Sequence, residues 1–219
     1  LHDDRVIRVS SSSKITNLGW AVFANRGFMS EYRRGKQVAS LDLRKCKALQ
    51  GSHNHQNACA AYAAVRTLGV GPRSVEEALK SFTGLAHRSQ LITKISGVVF
   101  INDSKATNVE SAMKSLETFR NVRWICGGEQ KEQDISRINN VLTNVKKAYV
   151  IGTNSAKFSS QIRCEFEICN TMDIAVKKAF DEAKGGETVL LAPAAASFDQ
   201  YSSFEERGKA FEHEIKKLM

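Results

Sequence analysis

Four polar or glycine-rich segments that carry chemically useful side chains each follow a short apolar run. These segments are residues 102–108, 127–131, 152–155 and 193–197. In the first, Asp103 can accept hydrogen bonds from hydroxyl groups, Lys105 can neutralise an anion, and Thr107 can donate to one. Thr107 can also cap the helix that follows, and a turn with a cap is the alternative explanation of the whole segment. The residue types therefore indicate either a polar binding site for an anion or a simple turn.

The later segments offer further groups that could bind an anion. The glycine pair 127–128 lets the backbone approach a ligand, with Lys131 as a point charge, although a solvated surface lysine is the simpler alternative. Ser197 follows a proline and three alanines, whose small side chains permit close approach. Residues 203–206 have capping-box spacing, so the free N–H of Phe204 opens a helix at which a carboxylate or phosphate can bind. The alternative is alanine packing beneath an ordinary helix cap.

Histidines and an arginine precede these segments. Residues 51–57 place two histidines and three amides at a helix start. A zinc site built on His53 and His55 would need further ligands, and the cysteines are not suitably spaced, so hydrogen bonding or a nucleotide contact is the better hypothesis. Arg88 can clamp a phosphate, although an interdomain salt bridge is the commoner role of such an arginine.

The elements that must position these groups alternate along residues 86–219. Short apolar runs predict strands at 97–101, 122–126, 148–151, 166–169 and 188–192. Helical patterns cover 109–116, 135–142, 155–162, 172–183 and 203–218. This alternation is typical of an α/β fold, and we predict a Rossmann-like, mostly parallel sheet with helices on both faces. Ligands bind beyond the carboxyl ends of parallel strands, which is where the four polar segments fall.

Residues 1–85 have a different pattern. Short β-type runs at 6–9, 19–23 and 38–43 predict antiparallel edge strands and turns. An alanine-rich helix is predicted from Asn57 to Leu68, and capping-box spacing at 74–77 predicts a second helix that ends near 82–84. This part is short for a domain of its own. The predicted organisation is therefore residues 1–85 as a separate element and 86–219 as one α/β domain.

The composition describes a globular chain and excludes several classes of protein. The 219 residues are 42% hydrophobic, and 32 Lys and Arg against 23 Asp and Glu give a net charge of +9. The longest apolar stretch is far shorter than the ~18 residues of a membrane span. The basic residues of the first fifty positions lack aromatic interleaving, which favours a solvated basic face over nucleic-acid binding. Five cysteines without CxxC spacing favour reduced thiols in a cytoplasm.

The start of the chain predicts a fragment or a processed product. Leu1 is not a methionine, and Asp3 and Asp4 stand where a signal peptide would carry basic residues. The sequence also contains neither a G-x-x-x-x-G-K-[ST] phosphate loop nor a G-x-G-x-x-G fingerprint after a strand. It therefore holds no recognisable cradle for a nucleoside triphosphate.

Four motifs, taken in order, resemble the Mur ligase family, and within it the members that add D-glutamate. They are GxHNxxN at 51–57, FTGLxHR at 82–88, INDSKATN at 101–108 and PAxASxDQxxxFExRG at 193–208. The resemblance runs from about Gly51 to the carboxyl terminus. It implies that residues 1–85 are the tail of a central ATPase domain and that 86–219 are a complete Rossmann-like domain that binds the incoming amino acid.

The resemblance implies an ATP-dependent ligase of peptidoglycan precursor synthesis. ATP would phosphorylate the carboxylate of UDP-N-acetylmuramoyl-L-alanine, and the amine of D-glutamate would then attack the acyl phosphate. A cytoplasmic monomer without nucleic-acid or membrane partners is expected. The phosphate loop, the Mg²⁺ ligands and a carbamylated lysine are expected upstream of Leu1, so this chain alone should be inactive. The alternatives are another Mur-type amino-acid ligase or a non-catalytic Rossmann-like module for acidic ligands.

Motif positions also imply residue roles. Those implied for D-glutamate are Thr107 and Lys131 at the α-carboxylate, and Ser197 and the N–H of Phe204 at the side-chain carboxylate. Those implied for ATP are Asn57 near the base, Asp103 on the ribose, and Arg88 and Lys105 near the phosphates as the catalytic candidates. The Lys131 segment departs from the family pattern, because Glu129 stands where an aspartate is usual.

Overall fold

The computed structural model describes residues 6–17 and 19–219 and separates into two compact units, which divide between Gly84 and Leu85. The expectations for Leu1, Asp3 and Asp4 lie outside the described residues. Within the described ranges, no helix has the length and apolar character that crossing a membrane requires. Each unit has its own hydrophobic core.

The first unit is a four-stranded sheet with two helices. Its elements are β1 (Ile7–Ser10), β2 (Trp20–Asn25), β3 (Phe28–Arg33), β4 (Lys36–Asp42), a 3₁₀ helix (Leu43–Lys45), α1 (Ser52–Thr67) and α2 (Pro72–Ser81). The strands lie in the order β1-β2-β3-β4. Helix α1 buries Cys59 and Tyr62 in one cluster with Val22 and Met29 of the sheet. The unit is therefore held together by helix-on-sheet packing.

The strands of this unit differ from the prediction in two ways. Strand β1 pairs with β2 in parallel, so the expected all-antiparallel arrangement is wrong there, while β3 is antiparallel to both β2 and β4. The sequence analysis also misses β3. The reason is Glu31, which is fully buried in the middle of this strand, where the alternation calls for an apolar residue.

Both helices of the first unit begin earlier than predicted. Helix α1 starts at Ser52 rather than Asn57 and ends at Thr67. Helix α2 starts at Pro72, so Ser74 lies inside its first turn and is not the cap. Proline suits the first helical position because its φ is already helical and its missing N–H would have no partner there.

The second unit contains a six-stranded sheet. Its strands are β5 (Gln90–Ile95), β6 (Val98–Asn102), β7 (Val122–Gly127), β8 (Val145–Ile151), β9 (Phe166–Asn170) and β10 (Thr188–Leu191). They lie in the order β5-β6-β10-β7-β8-β9. Strands β6 to β10 are mutually parallel, and β5 is antiparallel to β6. The last strand in the chain thus lies between β6 and β7, near the middle of the sheet.

Strand β5 is a further element that the sequence analysis misses. It forms a hairpin with β6 through Ser96 and Gly97, whose φ angles are 49° and 84°. Positive φ at both central positions is the geometry of a tight hairpin turn. Leu91 on this edge strand is 62% exposed, so the strand does not show the buried apolar run by which the others were predicted.

Helices cover the sheet on both faces. They are α3 (Val109–Thr118), a 3₁₀ helix (Ser136–Asn144), α4 (Ser155–Ser159), α5 (Met172–Asp181) and α6 (Phe204–Lys216). Strand β7 shows the two layers, because Trp124 and Cys126 join the core beneath α3, the 3₁₀ helix and α4. Ile125 joins the opposite core beneath α5 and α6. The predicted Rossmann-like, mostly parallel fold class is confirmed.

Two predicted helices differ in type or length. The helix predicted at 135–142 is a 3₁₀ helix, and α4 ends at Ser159 rather than at 162. Asparagine competes for backbone hydrogen bonds and disfavours a regular α-helix. Here the Asn139 amide donates to the carbonyl of Ser136 at 2.8 Å and to that of Gln161 at 2.9 Å. Side-chain hydrogen bonds thus fix these short segments.

Candidate functional site at the carboxyl ends of the strands

Backbone hydrogen bonds join the loops that follow β6, β7 and β10. The N–H of Asp103 donates to the carbonyl of Leu191 at 2.8 Å, and that of Ala194 donates to Ala106 at 2.9 Å. On the other side of β10, Glu129 and Ala196 exchange two hydrogen bonds, of 3.0 and 2.9 Å. Three of the four predicted polar segments therefore form one continuous surface in the second unit.

A buried arginine lies beneath this surface. Arg207 of α6 is 1% exposed, and its guanidinium donates to the carbonyls of Ala195 and Ala196 at 3.1 and 3.0 Å. It also donates to the Ser104 carbonyl at 3.0 Å and to the Ser104 hydroxyl at 3.1 Å. Burial lowers the pKa of Arg207 to about 10, against the opposing effect of Asp199. Arg207 thus ties the loop after β6 to the loop after β10.

The charge of Arg207 has no carboxylate partner in the described part of the chain. Its hydrogen-bond acceptors are backbone carbonyls and one hydroxyl. A buried cation compensated by dipoles leaves a positive potential at the surface above it, which favours an anionic ligand. The sequence analysis gives Arg207 no role. A signal was present, because Arg207, Phe211 and Ile215 follow the i, i+4, i+8 spacing of one buried helix face.

Lys105 and Phe204, which the sequence analysis places on different ligands, lie together. The Lys105 ammonium is 3.8 Å from the centre of the Phe204 ring, a cation–π contact. Phe204 is the first residue of α6, and its carbonyl accepts from the Ser104 hydroxyl at 2.8 Å. Ser203 caps the helix as predicted, since its hydroxyl accepts from the N–H of Glu206 at 3.2 Å. The Lys105 ammonium therefore lies against the side chain of the first residue of α6.

The Asp103 carboxylate is mostly buried and already accepts two hydrogen bonds from the protein. It is 8% exposed, and its carboxylate accepts from the N–H of Ser89 at 3.0 Å and, through a short hydrogen bond, from the Ser115 hydroxyl. Burial raises the pKa of Asp103, and these hydrogen bonds and the charge of Arg88 oppose that effect. Each oxygen of a carboxylate can accept more than one hydrogen bond, so a ribose contact at Asp103 stays a prediction.

Thr107 is not the helix cap that the sequence suggests. The cap of α3 is Asn108, whose side-chain oxygen accepts from the N–H of Ser111 at 2.9 Å. Asparagine is among the best capping residues, and its place directly before the first apolar residue of the helix could have identified it. Thr107 is half-buried in the loop before this cap. The contact with the α-carboxylate of D-glutamate that the resemblance implies for Thr107 does not depend on capping and stays a prediction.

The other predicted residues differ in their exposure. Ser197 is 2% exposed, and its carbonyl accepts from the N–H groups of Gln200 and Tyr201 at 3.1 and 2.8 Å. Lys131 and Arg88 are exposed, and neither forms an ion pair within residues 6–17 and 19–219. Asn57 is exposed on α1 of the first unit. Ser197 is thus the predicted residue that its surroundings hold most firmly.

The glycines after β7 and β8 serve close packing of the chain on itself. A Cβ at Gly128, where φ is 128°, would overlap the carbonyl of Ala196. A Cβ at Gly152, where φ is 91°, would lie 2.5 Å from a carboxylate oxygen of Asp199 and 2.7 Å from the Cα of Gly128. That same oxygen accepts from the N–H of Thr153 at 2.9 Å. The glycines therefore let the three strand-end loops lock together, and the ligand approach predicted for the pair 127–128 stays a prediction.

Metal binding finds no support among the described residues. No group of three or more histidine, cysteine, aspartate or glutamate side chains within them is arranged to hold a metal ion. Burial raises the pKa of Cys59 to about 12, so this thiol stays protonated and is a poor ligand. His53 and His55 lie in the first turn of α1.

Comparisons with known proteins agree with this geometry. Residues 87–195 match the family described as Mur ligase, glutamate ligase domain. UDP-N-acetylmuramoylalanine–D-glutamate ligase from Ruegeria pomeroyi is 57% identical over 217 residues, which are 99% of this chain and 47% of that protein. The protein of the same name from Roseobacter denitrificans is 56% identical with the same coverage. The chain spans about half the length of the curated relatives it matches.

A solved structure shows the same fold at low sequence identity. UDP-N-acetylmuramate-alanine ligase from Thermotoga maritima superposes with a TM-score of 0.63 at 16% identity, covering 94% of this chain and 47% of its own. The matched family segment begins at the buried His87, whose carbonyl accepts from the N–H of Lys105. It ends at Ala195, whose carbonyl accepts from Arg207. It thus includes the loops after β6 and β7 and the start of the loop after β10. On these grounds the chain belongs to the Mur ligase family.

Proposed function

We propose that the chain is part of an ATP-dependent ligase that joins D-glutamate to UDP-N-acetylmuramoyl-L-alanine in peptidoglycan precursor synthesis. The observation that carries the proposal is the meeting of Lys105, the amino terminus of α6 and the Ser197 loop above the buried charge of Arg207. Two relatives that are 57% and 56% identical in sequence bear the name of this activity. The site suits a small dicarboxylate, since it offers several donors and cations but few apolar side chains.

D-Glutamate would be held by both of its carboxylates. In the proposal, Ser197 and the N–H of Phe204 bind the side-chain carboxylate, because α6 begins there with free N–H groups and a favourable dipole. Thr107 and Lys131 bind the α-carboxylate. Such two-point binding would restrict the position of the D-glutamate amine for attack.

ATP would be the second ligand of the longer protein. Asp103 on the ribose and Asn57 near the base would orient it, and Lys105 and Arg88 would neutralise charge on the phosphates. The reaction transfers the γ-phosphoryl group to the substrate carboxylate. The amine then attacks the acyl carbon, the amide bond forms, and inorganic phosphate leaves. The tasks of this chain are positioning and charge stabilisation, which are large contributions in such reactions.

Mg²⁺ is the usual partner of ATP, but the described residues do not fit it, because they contain no cluster of metal-binding side chains. We place the Mg²⁺ ligands and the phosphate loop in the part of the relatives that this chain does not match. We further propose that the longer protein is a cytoplasmic monomer. In domain terms, residues 1–85 would complete its ATP-binding domain and residues 86–219 would form its D-glutamate domain.

The proposal predicts that phosphate release by the longer protein depends on both acceptor and amino acid. With ATP and Mg²⁺, a coupled phosphate assay should show release only when D-glutamate and UDP-N-acetylmuramoyl-L-alanine are both present. The 219-residue chain alone should release none, because its sequence has no phosphate loop. Release that is indifferent to D-glutamate would refute the proposal in favour of another Mur-type ligase, and binding without any turnover would favour a non-catalytic module.

Replacing Ser197 tests the D-glutamate site directly. Ser197→Ala removes one donor to a carboxylate, a hydrogen bond worth about 1.5–3 kcal/mol. We therefore expect the Kd for D-glutamate, measured by NMR titration of the 219-residue chain, to rise by roughly 10- to 100-fold. Ser160→Ala is the matched control, since Ser160 is exposed at the end of α4 and its hydroxyl bonds locally to the Lys157 carbonyl. Equal affinity of both variants would remove Ser197 from the site.

A further inference from the structure

The imidazole of His87 packs directly on the backbone of α6 at Gly208. A Cβ added to Gly208 would overlap Nδ1 of the ring and lie 2.8 Å from Cε1 and 2.9 Å from Cγ. His87 is 6% exposed, so the ring cannot simply turn outward without leaving its packing. Glycine is unfavourable in the interior of a helix unless something requires it. The close approach of the His87 ring explains the glycine at position 208, because the ring leaves no room for a Cβ.

The amide of Asn102 fixes the orientation of this ring. Its oxygen accepts from the N–H of Ser104 at 3.1 Å, and its nitrogen donates to the Gly208 carbonyl at 3.1 Å and to Glu212 at 2.9 Å. A flipped amide would set oxygen against two acceptors, so the nitrogen is the atom that faces Nδ1 of His87 at 3.0 Å. The Asn102 side chain thus holds the His87 ring and the backbone of α6 together.

His87 in turn holds two residues of the candidate site. Its carbonyl accepts from the N–H of Lys105 at 3.1 Å. Its ring meets the Phe204 ring edge-on, with centroids 6.3 Å apart and planes at 80°. The Lys105 ammonium covers the same Phe204 ring at 3.8 Å. His87 itself has a φ of 60°, and its N–H donates to the Gln90 side chain at 2.8 Å. The three residues thus form a closed set of contacts.

We propose that His87 is a positioning residue of the anion site. Seated on Gly208 and oriented by Asn102, it fixes the distance between the Lys105 ammonium and the N–H of Phe204, without touching the ligand. Because the proposed function assigns the N–H of Phe204 to D-glutamate and Lys105 to the phosphates of ATP, the inference rests on that function. A displacement of His87 would move the Lys105 ammonium and the Phe204 N–H apart. The reason is that the N–H of Lys105 is bonded to the His87 carbonyl, and the Phe204 ring packs against the His87 ring.

The contact between the His87 ring and Gly208 predicts two effects, one on D-glutamate binding and one on thermal stability. Gly208→Ala and His87→Ala should each weaken D-glutamate binding at least tenfold, and Gly208→Ala should lower the thermal midpoint. His87→Ala removes the atoms that the new Cβ would meet. Adding Gly208→Ala to His87→Ala should therefore weaken binding no further and should raise the thermal midpoint, because alanine is the better helix former. Lys209→Ala, an exposed neighbour on α6, is the control and should change neither quantity.

NMR of the 219-residue chain separates the possible outcomes. D-Glutamate should shift the Phe204 backbone amide. The absence of any D-glutamate shift in the unmodified chain would refute the proposed function and this inference together. A shift with the same Kd in both single variants would overturn the inference alone. So would a Gly208→Ala effect that is as large with His87→Ala as without it.

Discussion

Replacement of Arg207 by methionine is expected to lower the unfolding free energy of the second unit by about 3–5 kcal/mol. Methionine fills a similar volume but leaves the carbonyls of Ser104 and Ala195 without their donors, and each unsatisfied buried group costs about 1–3 kcal/mol. The loops after β6 and β10 lose their common partner at the same time. D-Glutamate binding should therefore disappear as well, even under conditions in which the unit remains folded.

The two tryptophans allow this effect to be measured in one unit at a time. Trp20 lies on β2 of the first unit, and Trp124 is fully buried on β7 of the second. In a urea titration followed by the indole NMR signals, Arg207→Met should move the Trp124 transition and leave that of Trp20 in place. Arg137→Met is the control, because Arg137 is 51% exposed and its ion pair with Glu132 is worth little. An unchanged Trp124 midpoint in Arg207→Met would contradict the role given to Arg207.

A comparable loss is expected in the first unit when Glu31 becomes glutamine. The buried carboxylate accepts from the Trp20 indole at 3.0 Å, the Tyr62 hydroxyl at 2.7 Å, and the guanidinium groups of Arg33 and Arg66 at 2.8 and 3.0 Å. Glutamine keeps one oxygen and turns an amide N–H₂ toward these donors. Removing one partner of a buried ionic network costs about 3–5 kcal/mol. The Trp20 transition in urea should move, and the Trp124 transition should not.

The same carboxylate should make the first unit sensitive to acid. Burial raises the pKa of Glu31, but hydrogen bonds from Tyr62, Arg66 and Arg33 outweigh it and hold the pKa below its ordinary value of 4.5. A group whose pKa is lowered on folding stabilises the protein above its unfolded pKa. That contribution is lost as the pH falls from about 4.5 through the lowered folded value, because folding must then compete with protonation of the unfolded chain.

Glutamine at position 31 should remove this part of the pH dependence. Urea titrations of the Trp20 transition between neutral pH and acid would show it as a flatter curve for Glu31→Gln than for the unmodified chain. Glu77→Gln is the matched control, since the Glu77 side chain is 69% exposed and pairs only with Arg73 along the helix. Equal acid sensitivity of the two variants would mean that Glu31 does not stabilise the unit through its charge.

Sequence periodicity predicts most of the second unit because its parallel strands are buried on both faces. Runs such as 122–126 and 188–192 are mostly apolar. Ser203 is also predictable, since its capping role needs nothing beyond its local sequence. The strand ends, and thus the loops that carry the candidate site, follow from the same pattern.

The features that the sequence does not reveal depend on partners distant in the chain. Glu31 interrupts the apolar pattern of β3, because the Arg66 and Tyr62 that satisfy it come more than thirty residues later. The parallel pairing of β1 with β2 likewise has no local signal. Arg207 looks like a surface residue until Ser104 and the alanine loop are known to surround it. Hydrophobic pattern alone cannot report such long-range polar contacts.

The position of β10 affects how the protein folds while the ribosome synthesises it. Strands β6 and β7 are not neighbours, and each is joined to the other through β10, whose residues are made after those of the other five strands of the sheet. The growing chain therefore has to keep two partial sheets apart and unaggregated until residues 188–191 emerge and are threaded between them. Contacts this distant in sequence make folding slow and leave strand edges exposed meanwhile. The candidate site can thus take shape only after β10 has been made.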